Sequence, residues 1–462
     1  MTNTQGHISQ DAAKSFHDAY MSALGSDQSA FSPDVAITGH DTNEPPYITV
    51  SDNYLEFVRS GLISISHGKL SSFVGDVATI TPSNEAVDDV VAIISAVGFE
   101  AADSISFLPD EVQKTLSACP EDRNITLALA FHGTHHPALP TLGFVGFYRA
   151  PHWGVMEMQA RFIATLWDSG GPSSPSLPGS IRDALAGDMS VKESISLRTD
   201  PRASQFPMGD YPWLMHEFAS ALELSCRPLS HPSLLWPSGM PMDFLTPARF
   251  PSKSLSEAQE FEVNKSLENT EATTRAATSD ARYVARAVFR SLAGEWKLER
   301  EIISQLPSHP SGHFSGTAKF LLRDTTRDGW EAVFDKLDAT GATGGEYLYV
   351  EEGDFKATNG LTFRATRRYV WRYNELLDKL SVWFVQTGDQ KRADYLFHEV
   401  NIEVAREEGK GWRAVAYHPC EDDHYNVKYE INFAGVDIKD WKLGYKVAGP
   451  HKSYDLTGVF TR

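Results

Sequence analysis

From Phe289 onward the sequence is a succession of short strand-like segments separated by turn residues, and helical spacing is absent. Turn signals recur roughly every 8 to 15 residues, which is typical of a β-barrel or β-sandwich. About ten such strands are enough to close a lipocalin-like barrel whose mouth holds a small ligand. The predicted strands are 294–303, 312–322, 345–352, 361–373, 379–384, 394–404, 411–418, 423–433, 441–448 and 453–461.

Alternation within these strands selects the polar side chains that face the predicted interior, because successive residues of a strand point to opposite faces. Arg367 shares its face with apolar residues of strand 361–373, whereas Arg364 and Arg368 fall on the other face. His398 is placed on a face with Leu396, Val400 and Ile402, and Tyr425 on one with Val427, Tyr429, Ile431 and Phe433.

Two interpretations of these inward polar groups stay open. A buried charge must be paired, so Glu351 or Asp423 is a candidate structural partner for Arg367. In the alternative, Arg367, His398, His418, Tyr425 and Glu351 form a ligand site for a small anionic or carbonyl-bearing organic molecule. A histidine beside an acid can act as an acid or base, but no triad spacing supports a named reaction.

Composition limits the partners and the compartment. The formal net charge is −19, which argues against nucleic acid or an anionic membrane surface as a partner. No window of about 18 apolar residues is present, so we predict no membrane span. The three cysteines are scattered and predict neither a disulfide framework nor a metal site. The first twenty residues lack the features of a secretory signal, and a cytoplasmic location is the expectation.

The segment 131–167 predicts a buried strand followed by an amphipathic helix packed on a sheet. The run 87–97 predicts a further core strand. His132, His135 and His136 lie close together before the helix, and without accompanying Cys or carboxylate ligands a solvated loop is expected there, with no metal.

The amino-terminal part resembles the carboxyl-terminal portion of flavin-containing monooxygenases over about residues 40–170. The resemblance rests on PYITVSD (46–52), FVRSG (57–61), VDDVVAIISAVGF (87–99), GFVGFYRAPHWGVMEMQAR (143–161) and, more weakly, FPMGDY (206–211). It implies an α/β domain and chemistry with FAD and NADPH. Gly98, Trp153 and Gly154 would contact the cofactor if a flavin domain were completed.

The Gly-x-Gly-x-x-Gly turns that hold FAD and NADPH in that family do not precede residue 87. The expectation is therefore an incomplete flavoprotein domain that binds neither cofactor by itself. It is either truncated or a remnant that serves as a scaffold for the barrel. The carboxyl-terminal part resembles a domain family of unknown function that occurs alone or behind such flavoproteins. Its matching motifs are GEWKLER (294–300), GTA (316–318), YVEEG (349–353), RRY (367–369), LFH (396–398), HPCEDDHY (418–425) and GPHKSY (449–454).

The predicted organisation has three parts. Residues 1–200 form the incomplete α/β domain, residues 201–288 a polar helical connector, and residues 289–462 the barrel. The main functional hypothesis is a flavin-monooxygenase-like protein that carries a small-molecule-binding barrel. The alternatives are a non-catalytic binding protein and a barrel enzyme that acts on a secondary metabolite through His398 or His418.

Overall fold

The computed structural model describes residues 6–7, 9–43, 46, 49, 51–97, 101–119, 121, 127–146, 152–196, 203–204, 211–229, 244–306, 310–326, 328–329, 344–404 and 411–462. The chain separates into two compact units. One contains Met1–His17, Gly39–Tyr47 and Val91–Thr274, and the other contains Asp18–Thr38, Ile48–Val90 and Arg275–Arg462.

Helices and short strands make up the regular structure before residue 292. In chain order they are β1 (Gly6–His7), α1 (Gln10–Leu24), α2 (Tyr54–Arg59), β2 (Lys69–Val74), β3 (Val77–Thr81), β4 (Glu85–Val87), α3 (Asp110–Thr115), β5 (His135–His136), β6 (Leu139–Gly143), α4 (Trp153–Asp168), α5 (Gly179–Ala186), α6 (Ser190–Ser196), β7 (Ala203–Ser204), α7 (Tyr211–Ala221), α8 (Glu257–Ser279) and α9 (Val284–Ser291).

The predicted helix after residue 152 is confirmed as α4, but it packs differently from the prediction. Its buried residues Val155, Met158 and Phe162 join a core with α5 and α7. The Phe162 and Phe131 rings stack with their centroids 4.5 Å apart. The helix therefore buries its apolar face against other helices and not against a parallel sheet.

The two strands predicted for an α/β sheet are not found as such in the described residues. At the strand predicted for 87–97, the observed strand β4 already ends at Val87. Beyond it, the side chains of Val91, Ile94 and Val97 are 101%, 89% and 94% exposed. The strand predicted in the segment 131–167 runs over 142–147, and its last residue lies outside the described residues. In the described part, β6 ends at Gly143 and pairs antiparallel with β5. Every strand pair between described residues is antiparallel, so the α/β flavoprotein architecture is not confirmed.

All ten predicted barrel strands are confirmed, with ends that shift by at most five residues. They are β8 (Gly294–Ser304), β9 (Gly312–Arg323), β10 (Gly345–Ala357), β11 (Thr362–Asn374), β12 (Lys379–Val385), β13 (Ala393–Glu403), β14 (Trp412–Cys420), β15 (Asp423–Ala434), β16 (Asp437–Ala448) and β17 (Tyr454–Thr461). Neighbours in sequence are neighbours in the sheet, and β17 pairs with β8 to close the barrel. Because the barrel is closed, each of the ten strands has a neighbour on both sides over at least part of its length.

Helix α9 covers one end of the barrel. The ring centroid of Phe289 lies 4.4 Å from that of Tyr347 and 5.7 Å from that of Tyr373. Below the helix, Trp296 donates its indole N–H to the carbonyl of Leu292 at 2.9 Å. This end of the lumen is therefore filled by aromatic side chains.

Helix α2 is held near the same end by ion pairs. The Arg59 guanidinium donates to both carboxylate oxygens of Asp437, at 2.7 and 3.1 Å, and Arg462 donates to the same carboxylate. Arg290 on α9 lies 3.4 Å from the Glu56 carboxylate. The segment at 54–59 is thus bonded to the barrel within the second compact unit.

The opposite end is open because two pairs of strands diverge. β11 pairs with β12 only over Tyr369–Asn374, so residues 362–368 pair on one side only, with β10. β13 pairs with β14 only at Asn401, Ile402 and Glu403. These separations open the lumen at its mouth and along one side.

Candidate functional site

The open end of the barrel contains a cavity of about 690 Å³. Its walls are mostly aromatic and aliphatic, and its polar groups are few, as in small-molecule sites generally. The lining residues are Arg300, Ile302, Ser304, Pro310, Phe314, Glu351, Phe355, Leu361, Phe363, Ala365, Thr366, Arg367, Arg368, Tyr369, Phe384, Val385, Phe397, Tyr425, Lys452, Tyr454 and Leu456.

Arg367 lies on the inward face of β11 and lines this cavity, where water reaches it. Tyr369 on the same face is buried, whereas Arg364 points outward and lies 3.7 Å from Glu352. Among the described residues, no carboxylate oxygen is within 4 Å of the Arg367 nitrogens. Tyr369 and, more weakly, Glu351 raise the pKa of Arg367, so the guanidinium stays charged.

One interpretation of the sequence expected Glu351 to pair with Arg367, but the two side chains do not form an ion pair. Its carboxylate accepts two hydrogen bonds from Arg300, at 2.6 and 2.7 Å, and a third from the Tyr349 hydroxyl at 2.8 Å. Both members of the ion pair are buried, at 3% and 5% exposure. Such a bidentate arrangement is the strong form of a charged hydrogen bond.

The pKa values of this pair follow from two opposed effects. Burial alone raises the pKa of Glu351 and lowers that of Arg300, because it disfavours both charged forms. The attraction and the hydrogen bonds between them outweigh burial, so the pKa of Glu351 is lowered and that of Arg300 is raised. Both groups are charged at neutral pH, and their charges cancel within the cavity wall.

Tyr425 lines the cavity beside Lys452, whose ammonium group donates to the Tyr425 hydroxyl at 3.0 Å. This hydrogen bond is the main reason that the pKa of Lys452 is raised. Asp423, the other predicted partner of Arg367, instead accepts the backbone N–H groups of His451 and Lys452, at 3.1 and 3.2 Å. The carboxylate therefore shapes the loop that presents Lys452.

His398 is buried, but it is not among the residues that line the cavity. Its Nε2 lies 2.7 Å from the Tyr429 hydroxyl, and its Nδ1 has no partner among the described residues. Burial, with a smaller contribution from His418, lowers the pKa of His398 to about 3. The imidazole is therefore neutral at physiological pH.

A β-bulge explains why the predicted face of β13 is only partly right. Val382 pairs with His398 and Trp383 pairs with Leu396, so Phe397 is an extra residue. Phe397 and His398 consequently both face the core, and Leu396 joins a cluster outside the barrel with Val370 and Trp383. A bulge breaks the period of two, and alternation alone does not reveal it.

His418 packs beside the cavity without lining it. Its ring centroid is 5.0 Å from that of Phe397 and 6.0 Å from that of Tyr425, both of which line the cavity. Burial lowers the pKa of His418, and its hydrogen bond to the backbone at Phe397 partly offsets this. Of the five predicted barrel residues, Arg367, Glu351 and Tyr425 thus share the cavity, and the two histidines support its wall.

Sequence reasoning missed Arg300 and Lys452, although the signal was present. Arg300 alternates with Trp296, Leu298 and Ile302 along β8, and those residues face the interior. Lys452 has the same parity as the inward residues Tyr454 and Leu456 of β17. Applying the alternation rule to every predicted strand would have included Arg300, whereas Lys452 lies one residue before the predicted strand 453–461.

Residues 292–462 match a family of unknown function, DUF6314. The match covers the ten strands and every residue that lines the cavity, and we refer to it as the DUF6314 region. The description of the family names no activity. Neither a curated protein nor a solved structure matched the chain.

The predicted flavin contacts lie outside the DUF6314 region. Gly98 is outside the described residues, and Trp153 is 75% exposed at the start of α4. Gly154 is buried, and a Cβ at this position would clash with the Tyr211 hydroxyl, which donates to the carbonyl of Leu245 at 2.6 Å. Tyr211 therefore packs directly against Gly154, one of the three predicted contact positions.

The histidine loop of the amino-terminal part is not a solvated loop, contrary to the prediction. His135 is 2% exposed, and its Nδ1 lies 3.0 Å from the Thr134 hydroxyl. Burial is the main reason that the pKa values of His132 and His135 are lowered to about 4. In the described part of the chain, no group of three or more His, Cys, Asp or Glu side chains is placed to hold a metal ion.

None of the described helices combines the length and the apolar composition that a membrane crossing requires.

Proposed function

We propose that the barrel binds a small organic anion with an aromatic or otherwise apolar body. The observation that carries this proposal is the position of Arg367 in the cavity. Its charge has no carboxylate counterpart within salt-bridge distance among the described residues, whereas the acid nearest in register, Glu351, is bonded to Arg300. An acidic ligand would supply the missing negative charge.

The apolar body of the ligand is supported by the walls of the cavity. Phe384 and Phe397 lie 4.5 Å apart between ring centroids, and Phe355 and Phe363 lie 5.3 Å apart. Flat faces and edges of this kind favour aromatic ligands through offset or edge-to-face contacts. The volume of about 690 Å³ falls within the usual range for drug-sized ligands.

The preference for an anion is supported by the balance of charge. Arg300 and Glu351 cancel, and Arg368 donates to the amide of Gln390 at the outer surface. A neutral amide does not cancel a charge, so Arg367, Arg368 and Lys452 remain as three positive charges among the lining residues. An acidic group placed near Arg367, Lys452 and the Tyr425 hydroxyl would receive charge-assisted hydrogen bonds.

The flavin-dependent function implied by the amino-terminal resemblance is not part of this proposal, because Tyr211 packs directly against Gly154 and the α/β architecture is not confirmed. Catalysis through His398 receives no support either, since its Nε2 is bonded to Tyr429 and its ring does not line the cavity.

The test compares two fluorescent probes that differ by one charge. 8-Anilinonaphthalene-1-sulfonate carries a sulfonate, and N-phenyl-1-naphthylamine has the same two aromatic parts without it. We expect the full chain to bind the sulfonate saturably and at least tenfold more tightly than the neutral probe, with displacement by aromatic carboxylates. Equal affinity for the two probes would refute the proposal.

A further inference from the structure

We infer that Arg300 is a specificity-determining positioning residue, which holds Glu351 away from Arg367 and so keeps the cavity selective for anions. This inference rests on the proposed function. It concerns how the barrel prevents its own carboxylate from occupying the anion site.

Glu351 and Arg367 are direct partners in the β10–β11 ladder. Side chains that lie directly opposite each other on one face of an antiparallel pair have Cβ atoms about 4.5 to 5.5 Å apart, and opposite charges at such positions normally associate. Nevertheless, both oxygens of Glu351 are bonded to Arg300. Glu351 therefore forms its ion pair with the more distant Arg300 and not with its direct partner Arg367.

Arg300 reaches Glu351 from two strands away, across β9. It pairs with Phe314 on β9, whereas Glu351 pairs with Ala318. Between them on the same face is Gly316, which pairs with Gly353 on β10. Because neither glycine has a side chain, the diagonal between Arg300 and Glu351 is clear, and the guanidinium approaches the carboxylate with both of its terminal nitrogens.

The Glu351 carboxylate accepts a third hydrogen bond, from the Tyr349 hydroxyl at 2.8 Å. Arg300 and Tyr349 together therefore hold the carboxylate, and Arg367 is not among its hydrogen-bond partners. If Arg300 were absent, Glu351 would be a buried charge whose remaining cationic neighbour is Arg367, its partner in the ladder. An internal ion pair would then form where the anionic ligand is expected to bind.

The experiment measures the affinity of the full chain for the two probes, the anionic anilinonaphthalene sulfonate and neutral phenylnaphthylamine, in four proteins. These are the wild type, Arg300→Met, Arg300→Met/Glu351→Gln, and the control Arg372→Met. Arg372 is also a buried arginine, paired with Glu346 at 2.6 Å, but it does not line the cavity.

We expect Arg300→Met to bind the sulfonate at least tenfold more weakly and the neutral probe within about twofold of the wild type. The double variant should regain wild-type affinity for the sulfonate, because an uncharged amide in place of the Glu351 carboxylate does not neutralise Arg367. The control should bind both probes as the wild type does. A purely structural role of Arg300 would instead weaken the binding of both probes alike in Arg300→Met.

Unchanged sulfonate binding by Arg300→Met would overturn the inference. So would a double variant that stays more than threefold weaker than the wild type, since Arg300 would then contact the anion itself. If Arg300→Met does not fold, as judged by near-ultraviolet circular dichroism, the double variant decides the question by the same criterion. If the wild type itself shows no preference for the sulfonate probe, the proposed function is refuted. The wild type therefore tests the proposed function, and the variants test the inference about Arg300.

Discussion

Glu351 and Arg367 face each other directly across β10 and β11, yet the carboxylate of Glu351 is bonded to Arg300 from two strands away. The cavity wall therefore contains two kinds of charged group, one that pairs within the protein and one that a ligand can contact. The pair of Arg300 and Glu351 is buried and internally neutral, whereas Arg367 is accessible to water and carries an uncompensated charge. The wall therefore combines a neutral structural pair with a positive charge that a ligand can reach.

Replacing Arg367 by Ala is expected to impair binding and not folding. Removing one charge-assisted hydrogen bond of about 1.5–3 kcal/mol weakens a bound anion by roughly 10- to 150-fold. Because Arg367 is exposed to water and forms no ion pair with a described carboxylate, the melting temperature should change little. Titration with the sulfonate probe and thermal unfolding measure the two effects. The matched control is Arg364→Ala on the outer face, and a similar loss of affinity in that variant would contradict the assignment.

Replacing Arg300 by Met is expected to destabilise the barrel strongly, because it leaves the buried Glu351 carboxylate without its bidentate partner. Breaking a buried pair from one side typically costs about 3–5 kcal/mol, whereas removing both charges is often close to neutral. Urea unfolding of the full chain should therefore show a much lower stability for Arg300→Met than for Arg300→Met/Glu351→Gln. Equal destabilisation of the single and double variants would argue against the ion pair.

His398 is expected to make the stability of the folded state depend on pH. Its pKa is about 3 in the folded chain, below the ordinary value of 6.5, so the unfolded chain binds more protons between these values. Stability attributable to this residue is retained above pH 6.5 and declines as the pH falls toward 3, by at most about 1.4 kcal/mol per pH unit.

The measurement is urea unfolding at several pH values for the wild type and His398→Gln, which cannot titrate. The decline with falling pH should be smaller in the variant. His424→Gln replaces an exposed histidine and serves as the control. An identical pH profile for the wild type and His398→Gln would show that His398 is not buried in its neutral form.

Asp437 is expected to be a stability centre at the end of the barrel covered by α9. Burial raises its pKa, but hydrogen bonds and attraction from Arg59 and Arg462 lower it overall. Asp437→Asn removes the charge that these two arginines share, and a loss of about 1.5–3 kcal/mol is expected. Asp455→Asn, at an exposed position of β17, should change the free energy of unfolding by no more than about 0.5 kcal/mol. Equal effects of the two substitutions would contradict the role of Asp437.

The purified chain is expected to contain neither FAD nor bound NADPH. The Gly-rich turns that anchor such dinucleotides are absent before residue 87, and Tyr211 occupies the space beside Gly154. An absorption spectrum of the native protein near 450 nm, followed by analysis of the supernatant after denaturation, measures the flavin content. Stoichiometric FAD would overturn this expectation and renew interest in the monooxygenase resemblance.

Much of the barrel could be predicted from the sequence because each strand is specified by the residues within it and by the turns beside it. Alternation of apolar and polar residues and the turn residues between strands specify where each strand begins, ends and faces. The same rule placed Arg367 and Tyr425 on the inward side. It failed at Leu396, because the bulge at Phe397 depends on how β13 pairs with β12 and leaves no local signature.

The amino-terminal part shows the limits of local patterns more clearly. Helix α4 was predicted from its spacing, but the element it packs against was not, since an apolar face is compatible with a sheet or with other helices. The apolar run at 87–97 matched a buried strand in composition, and yet its described residues after Val87 are largely exposed. An apolar run becomes a buried strand only where neighbouring strands are present to pair with it.

The sequence by itself determined that the carboxyl-terminal part is a ten-stranded β-structure with an arginine and a tyrosine facing inward. Only the tertiary structure decided which charges meet. Glu351 was equally compatible with Arg367 opposite it and with any cation that the closed barrel brings near. The closure of β8 against β17 and the two glycines between the strands bring Arg300 to that carboxylate. Pairing of buried charges depends on distances across the barrel, and these are set by non-local strand pairing that no single segment encodes.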